Sequence, residues 1–255
     1  MLLKSSRLTK SQREDAVARV FDQSAPRVDF YLMLILSAII VTLGLLIDSA
    51  GVVIGGMLIA PILSPILGFS MGVVVGNTKL IKRAGSIIVW SALTVVIISF
   101  IISSFTLNGE MTSEIFSRTS PSLAYLLIAM VSGAAVAYAL VRPALSEILP
   151  GIAIAVALIP PLATVGISIS FLEKDMVIGS FELFLVNLVG IVFAAVSVFS
   201  FMRIYEAKDV IERKLRGEEK IVQKFQKEHD MEKIEQIEKT VLEVKEMLNE
   251  KKKNG

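Results

Sequence analysis

Residues 51–64 read Gly51-Val-Val-Ile-Gly-Gly-Met-Leu-Ile-Ala-Pro61-Ile-Leu-Ser64, and residues 151–164 read Gly151-Ile-Ala-Ile-Ala-Val-Ala-Leu-Ile-Pro-Pro161-Leu-Ala-Thr164. Laid side by side without gaps, Gly51 matches Gly151, Leu58-Ile59 matches Leu158-Ile159, and Pro61 matches Pro161; Ser64 faces Thr164, and Ser70 with Ser170 continues the register. Apolar matches carry little weight, whereas the glycine, proline and hydroxyl matches carry more. Both stretches are free of charge and interrupted by proline. A proline has no N–H, and its ring clashes with the carbonyl four residues back. On that rule Pro61 releases the carbonyl of Met57 and Pro161 that of Ala157, with Pro65 and Pro160 adding to the disruption.

Working outward, each broken stretch is the second of three apolar blocks. The first three are Phe30–Ile47, Gly51–Gly76 and Ser86–Phe105; the second three are Leu123–Val141, Pro150–Leu172 and Ile178–Phe201. A membrane span needs roughly 20 residues, and each block is near that length. The sequence therefore predicts an all-α integral membrane protein, a six-span helical bundle. Three spans per unit is an odd number, so the second unit enters from the opposite face and the two form an inverted pair. Gly/Pro-interrupted segments at matching places in inverted repeats point to a transport pathway.

Charge supports six crossings rather than re-entrant hairpins. With the second block crossing, residues 1–29, Lys79, Lys82, Arg83, Arg142 and the tail fall on one side. Asp48, the 106–121 loop and Glu173–Asp175 fall on the other. That arrangement obeys the positive-inside rule at every loop and puts both termini in the cytoplasm of an inner or plasma membrane. The expected organisation is a cytoplasmic amphipathic segment 1–29, a first three-span unit 30–105, an external loop 106–122, a second unit 123–201, and a cytoplasmic tail 202–255. Within the first segment, Ser11 with Glu14 reads as a capping box. Ala16, Val17, Val20 and Phe21 share one helical face over 11–24.

Composition agrees. The chain has 255 residues, 54% of them hydrophobic, and a net charge of +2; its mean hydropathy is +0.69. A soluble domain is nearer about 45–50% apolar. Lys and Arg flank the apolar block and read as topology signals, not as a nucleic-acid footprint. There is no cysteine, and the single histidine, His229, lies in the tail. Thiol chemistry, cysteine metal sites and a histidine centre inside the membrane are excluded. Without a nucleotide-binding fingerprint or catalytic constellation, no cofactor and no enzyme activity are expected.

In hydrocarbon an unsatisfied backbone group costs several kcal/mol, so the opened helices must face protein or a wet cavity. Ser64 and Thr164 lie nearby to satisfy those groups or to hold a solute. Gly55 and Gly56 allow close backbone approach, and Asn187 is the most polar side chain in a late span. The alternative for the prolines is a plain kink, and for the glycines plain helix packing. The candidate pathway residues are thus Gly55, Gly56, Met57, Pro61, Ser64, Pro65, Ala157, Pro160, Pro161, Thr164 and Asn187. Half-helix N-termini there favour negative charge. In the tail, Ile234, Ile237, Val241, Val244 and Leu248 recur in steps of three and four. They form a heptad seam that predicts homo-oligomerisation through residues 204–248, the alternative being a lone amphipathic helix.

The stretch from Asp48 to Gly72 and the stretch from Arg142 to Leu162 are similar to the hydrophobic-protein family of domain of unknown function 389. The resemblance covers about residues 27–201. It implies a prokaryotic multi-span membrane protein and supplies no substrate or residue roles. Taken together, the expectation is a transporter or channel for a small ion or polar solute. The rival is a membrane scaffold or sensor assembled through its tail.

Overall fold

The computed structural model describes residues 9–23, 28–106, 111–142, 145, 158–217 and 220. Those residues contain helices and no strand. In chain order the helices are α1 Lys10–Gln23, α2 Val28–Leu46, α3 Ala50–Leu58, α4 Leu63–Val75, α5 Thr78–Phe105, α6 Ser113–Phe116, α7 Leu123–Val141, α8 Ile159–Ser170 and α9 Lys174–Phe201, followed by a 3-10 turn at Ile204–Ala207. By length and apolarity α2, α5, α7 and α9 can each cross a membrane, and α3 with α4, bent by 55° at their junction, make up to a fifth. All lie in the compact unit Met1–Lys208; in the unit Asp209–Gly255 the described residues 209–217 are helical. The heptad positions Ile234–Leu248 lie outside the described residues.

Local chemistry moves several expected boundaries. Asn77 caps α5, its side chain accepting from the Leu80 N–H at 3.0 Å. That cap brings Lys79, Lys82 and Arg83, expected in a loop, into the first two turns of the helix. The box at the start of α1 is built by Thr9 and Gln12, not Ser11 and Glu14. The Gln12 N–H donates to Thr9 Oγ1 at 3.3 Å, and the Thr9 N–H donates to Gln12 Oε1 at 3.0 Å. Ala16, Val17, Val20 and Phe21 are the buried face of α1 as expected. The helix packs on α4, α7 and the 204–207 turn. There Arg13 pairs with Glu206, and the Arg83 guanidinium lies 5.3 Å from the centre of the Phe21 ring.

The bundle has two recognisable ends. At one, α6 clasps the α2–α3 turn: Asp48 accepts from Ser113 Oγ at 2.9 Å and from the Glu114 N–H at 2.8 Å, and Thr112 Oγ1 donates to the Leu45 carbonyl at 2.6 Å. These bonds hold the Asp48 carboxyl below its ordinary pKa, the Glu114 backbone bond first. At the other end sit α1, the start of α5 and the 204–207 turn. The α3–α4 segment leaves the Asp48 end, and α4 packs on α1 and on the 204–207 turn. It therefore joins the two ends, as a broken span does.

Several features of the first half recur in the second. The first helices, α2 and α7, have 19 residues each. The third helices, α5 and α9, have 28 each. The interval from Leu63 to Ile159, which begin α4 and α8, equals the interval from Thr78 to Lys174, which begin α5 and α9. At that interval Gly76 and Leu172 both take left-handed backbone angles, with φ of 66° and 60°. The Asn77 N–H donates to the Gly72 carbonyl at 3.0 Å, and the Glu173 N–H donates to the Ser168 carbonyl at 3.0 Å. Each is the six-to-one bond that closes a helix with a left-handed residue.

Within the core α8 is enclosed, every residue from Ile159 to Ser168 being buried against α5, α9 and α2. Small residues permit this. A Cβ on Gly166 would lie 2.4 Å from the Val96 carbonyl oxygen, and one on Gly133 would lie 2.7 Å from the Ile191 Cα. Backbones in such contact gain dispersion energy that lipid cannot replace.

Candidate functional site

Three groups of residues converge where the short helices meet the long ones: the α3–α4 junction, the first turn of α8, and the midpoints of α5 and α9. α4 and α8 each pack on both long helices.

At the junction α3 ends at Leu58 and α4 begins at Leu63, with Pro61 between and Pro65 third in the new helix. The Met57 carbonyl is not left open. It accepts from the Ala60 N–H at 3.3 Å, because the chain tightens into a turn before the proline. The Ser64 N–H likewise donates to the Pro61 carbonyl at 3.3 Å, and the Ser64 side chain is half-buried. The Gly56 carbonyl accepts from buried Ser37 Oγ at 2.8 Å. Gly56 itself is a packing glycine, since a Cβ there would meet Val41 Cγ2 at 2.7 Å; a Cβ on Gly55 would meet nothing within 4 Å. Close approach thus explains Gly56 and does not explain Gly55.

In the second half, Ala157 lies outside the described residues. Pro160 and Pro161 stand in the first turn of α8, where a missing N–H costs nothing. They start this helix and do not kink it. They also remove two of the four N–H groups an open helix start offers, which weakens the anion preference expected there. The interval that superposes the helix starts aligns Pro65, not Pro61, with Pro161. The ungapped match of Pro61 with Pro161 and Ser64 with Thr164 is displaced by four residues. That is about one helical turn, so the same face stays apolar and the slip leaves no trace in the pattern.

The interval between the helix starts exposes a pair that sequence reasoning missed. Ser91 and Asn187 are the fourteenth residues of α5 and α9, at their midpoints. Both are buried, Ser91 fully and Asn187 to 3% exposure. The start of α8 lies near the same depth. Ser170 Oγ and Ser103 Oγ are 2.7 Å apart, and Gly166 abuts Val96 and Phe100, so α8 runs parallel to the second half of α5. A rise of about 1.5 Å per residue brings Ile159 to the level of Ser91. Within α8, Thr164 is fully buried, and Thr164 Oγ1, Ser168 Oγ and Ser91 Oγ have no hydrogen-bond partner among the described residues. Thr42 Oγ1, by contrast, lies 2.7 Å from Ser99 Oγ. Buried polar side chains among the described residues are hydroxyls and one amide, Asn187. No cluster of His, Asp or Glu there is placed to hold a metal.

The family model described as Domain of unknown function (DUF389) matches residues 57–193. The chain belongs to this family. The match begins at the α3–α4 junction and ends within α9, so it takes in both proline-marked helix starts and both midpoint polar residues. A relative, Uncharacterized protein MJ0678 of Methanocaldococcus jannaschii, is 31% identical over 169 residues, covering 66% of this chain and 52% of that protein. The chain thus spans about half the length of this relative. No solved structure matches.

Proposed function

We propose that this protein moves a small ion or polar solute across the cell membrane, through the polar midsection where α4 and α8 meet α5 and α9. The observation that carries the reading is the matched pair Ser91 and Asn187, buried at the midpoints of two equally long helices, together with the Thr164 hydroxyl, which has no hydrogen-bond partner among the described residues, on a helix that starts at the same depth. A buried polar group without a partner costs about 1–3 kcal/mol. A chain retains such groups where something transient supplies the missing bond.

In this reading the two halves are inverted three-span repeats giving six crossings, with Pro150–Leu172 as the middle block of the second half; residues 150–157 of that block lie outside the described residues. Matched helix lengths, matched left-handed ends and matched closing bonds support it. So does the reciprocal packing, in which α4 lies on the other half's α9 and α8 on the other half's α5. Both termini are cytoplasmic by the distribution of Lys and Arg. The protein is a homo-oligomer through residues 204–248, on the strength of the heptad seam, and it is not an enzyme.

Flux of a broad panel of ions and small polar solutes into proteoliposomes tests this. Replacing Asn187 by Ala or Thr164 by Val lowers the flux about tenfold, the effect of losing one net hydrogen bond of about 1.4 kcal/mol. Absence of flux for the whole panel overturns the proposal. A scaffold reading has one observation in its favour, the separate compact unit Asp209–Gly255. Flux that survives deletion of residues 209–255 places the activity in the bundle; a bundle that folds without them and moves nothing supports the scaffold.

A further inference from the structure

The bundle carries an open groove of about 520 Å³ between α4, α5 and α9, with almost wholly apolar walls that include Phe69, Gly85, Val89, Val189 and Phe193. Its residues lie in the half of each long helix nearest α1, that is, nearest the basic end. Gly85 forms part of it for a reason unlike that of the packing glycines. A Cβ added to Gly85 would meet only the Phe69 ring, at 3.7 Å, whereas one on Gly166 or Gly133 would strike a neighbouring backbone. Among the described residues no helix fills the space that Gly85 leaves.

Lys82 lies one turn before Gly85 on α5, and Val89 one turn after it, so the three share a helix face. Lys82 is exposed and makes no ion pair among the described residues. Side chains on a helix lean towards its N-terminus, which carries the Lys82 ammonium away from the groove and up to the membrane–water boundary. We propose that this groove is a binding site for an anionic phospholipid, one acyl chain lying along Gly85 and Phe193 and the phosphate headgroup resting on Lys82. Charge complementarity favours this occupant: a basic side chain caps an apolar groove in the leaflet next to the basic end. A helix from a second copy fits less well. Helix–helix contacts in membranes rely on small residues, and apart from Gly85 these walls are Ile, Leu, Val and Phe.

Native mass spectrometry of the full chain, released from micelles doped with equal amounts of phosphatidylglycerol and phosphatidylcholine of the same acyl chains, tests the site. The intact protein retains phosphatidylglycerol over phosphatidylcholine by about fivefold, the effect of about 1 kcal/mol per basic residue at an anionic surface. Lys82→Gln brings the ratio to about one while lipid is still retained. Gly85→Leu, which fills the groove, removes the retained lipid altogether. Val89→Trp fills it from a surface position and serves if the leucine variant fails to fold, thermal melting being the check. Equal retention of both lipids by the wild type overturns the headgroup assignment. Undiminished lipid in both groove-filling variants overturns the groove. Loss of a dimer in those variants, with lipid unchanged, overturns the lipid in favour of a second copy.

Discussion

Leu172 holds φ at 60° with its side chain 87% exposed, a backbone state that costs a non-glycine residue about 1–2 kcal/mol. At that exposure the leucine gains little from packing among the described residues to repay it. Leu172→Gly therefore raises stability by about 1 kcal/mol, and Gly76→Leu, at the matching place, lowers it by a similar amount; thermal unfolding in detergent reads both. Asp48 gives a pH-dependent prediction. Its pKa is lowered by the bonds from Glu114 and Ser113, so the folded state favours the carboxylate. The stabilisation is present above the ordinary carboxylate range and fades as pH falls through the depressed value. The protection of the Glu114 N–H against exchange, taken relative to the free-peptide rate at each pH, should accordingly fall in acid, and Asp48→Asn should flatten that dependence. At this scale the sequence was legible where geometry is local: the buried face of α1 follows from spacing alone. The pairing of Pro61 with Pro161 differs by four residues from the interval between the starts of α4 and α8, and a difference of about one helical turn keeps apolar faces aligned in either register. Ser91 went unnoticed because a lone serine in an apolar run looks like filler until its counterpart at Asn187 is known.

Among elements, α8 depends on being nearly bare where it crosses α5. Adding one methyl with Gly166→Ala puts a Cβ 2.4 Å from the Val96 oxygen; the helices must separate, at about 1–3 kcal/mol for overpacking. Calorimetry in nanodiscs should show a clearly lowered melting temperature. Gly55→Ala, with open space around it, should leave melting unchanged. The lengths of the apolar blocks identified α2, α7 and the body of α5 and α9 correctly. The start of α5 was hidden by Lys79, Lys82 and Arg83, which look like a loop until Asn77 is recognised as a cap. The point at which α8 starts was hidden for a related reason: a proline breaks a helix or begins one according to where the first turn falls, and an unbroken apolar run does not mark that point.

For the molecule as a whole, the path of α3–α4 decides the topology. The chain contains no cysteine, so introduced ones report without interference. Ser49→Cys and Thr78→Cys should react with an impermeant maleimide from opposite faces of the membrane; reaction from one face would make the bent pair a re-entrant hairpin and undo the threefold count in each half. The membrane character of the chain was plain from its charge-free middle, because hydrocarbon leaves few alternatives to apolar helices. The coincidence in depth of Ser91, Asn187 and the start of α8 was not, since it arises from how the helices stack and not from any local pattern.

The bare contacts at Gly133 and Gly166 have a mechanical consequence. Where main chain rests on main chain there is no cushion of side chains to yield, so α7 with α9 forms one stiff strut and α5 with α8 another. Working motions should then tilt one strut against the other. Spin labels placed within a strut would keep their separation as solute gradients are reversed, while labels placed on different struts would not.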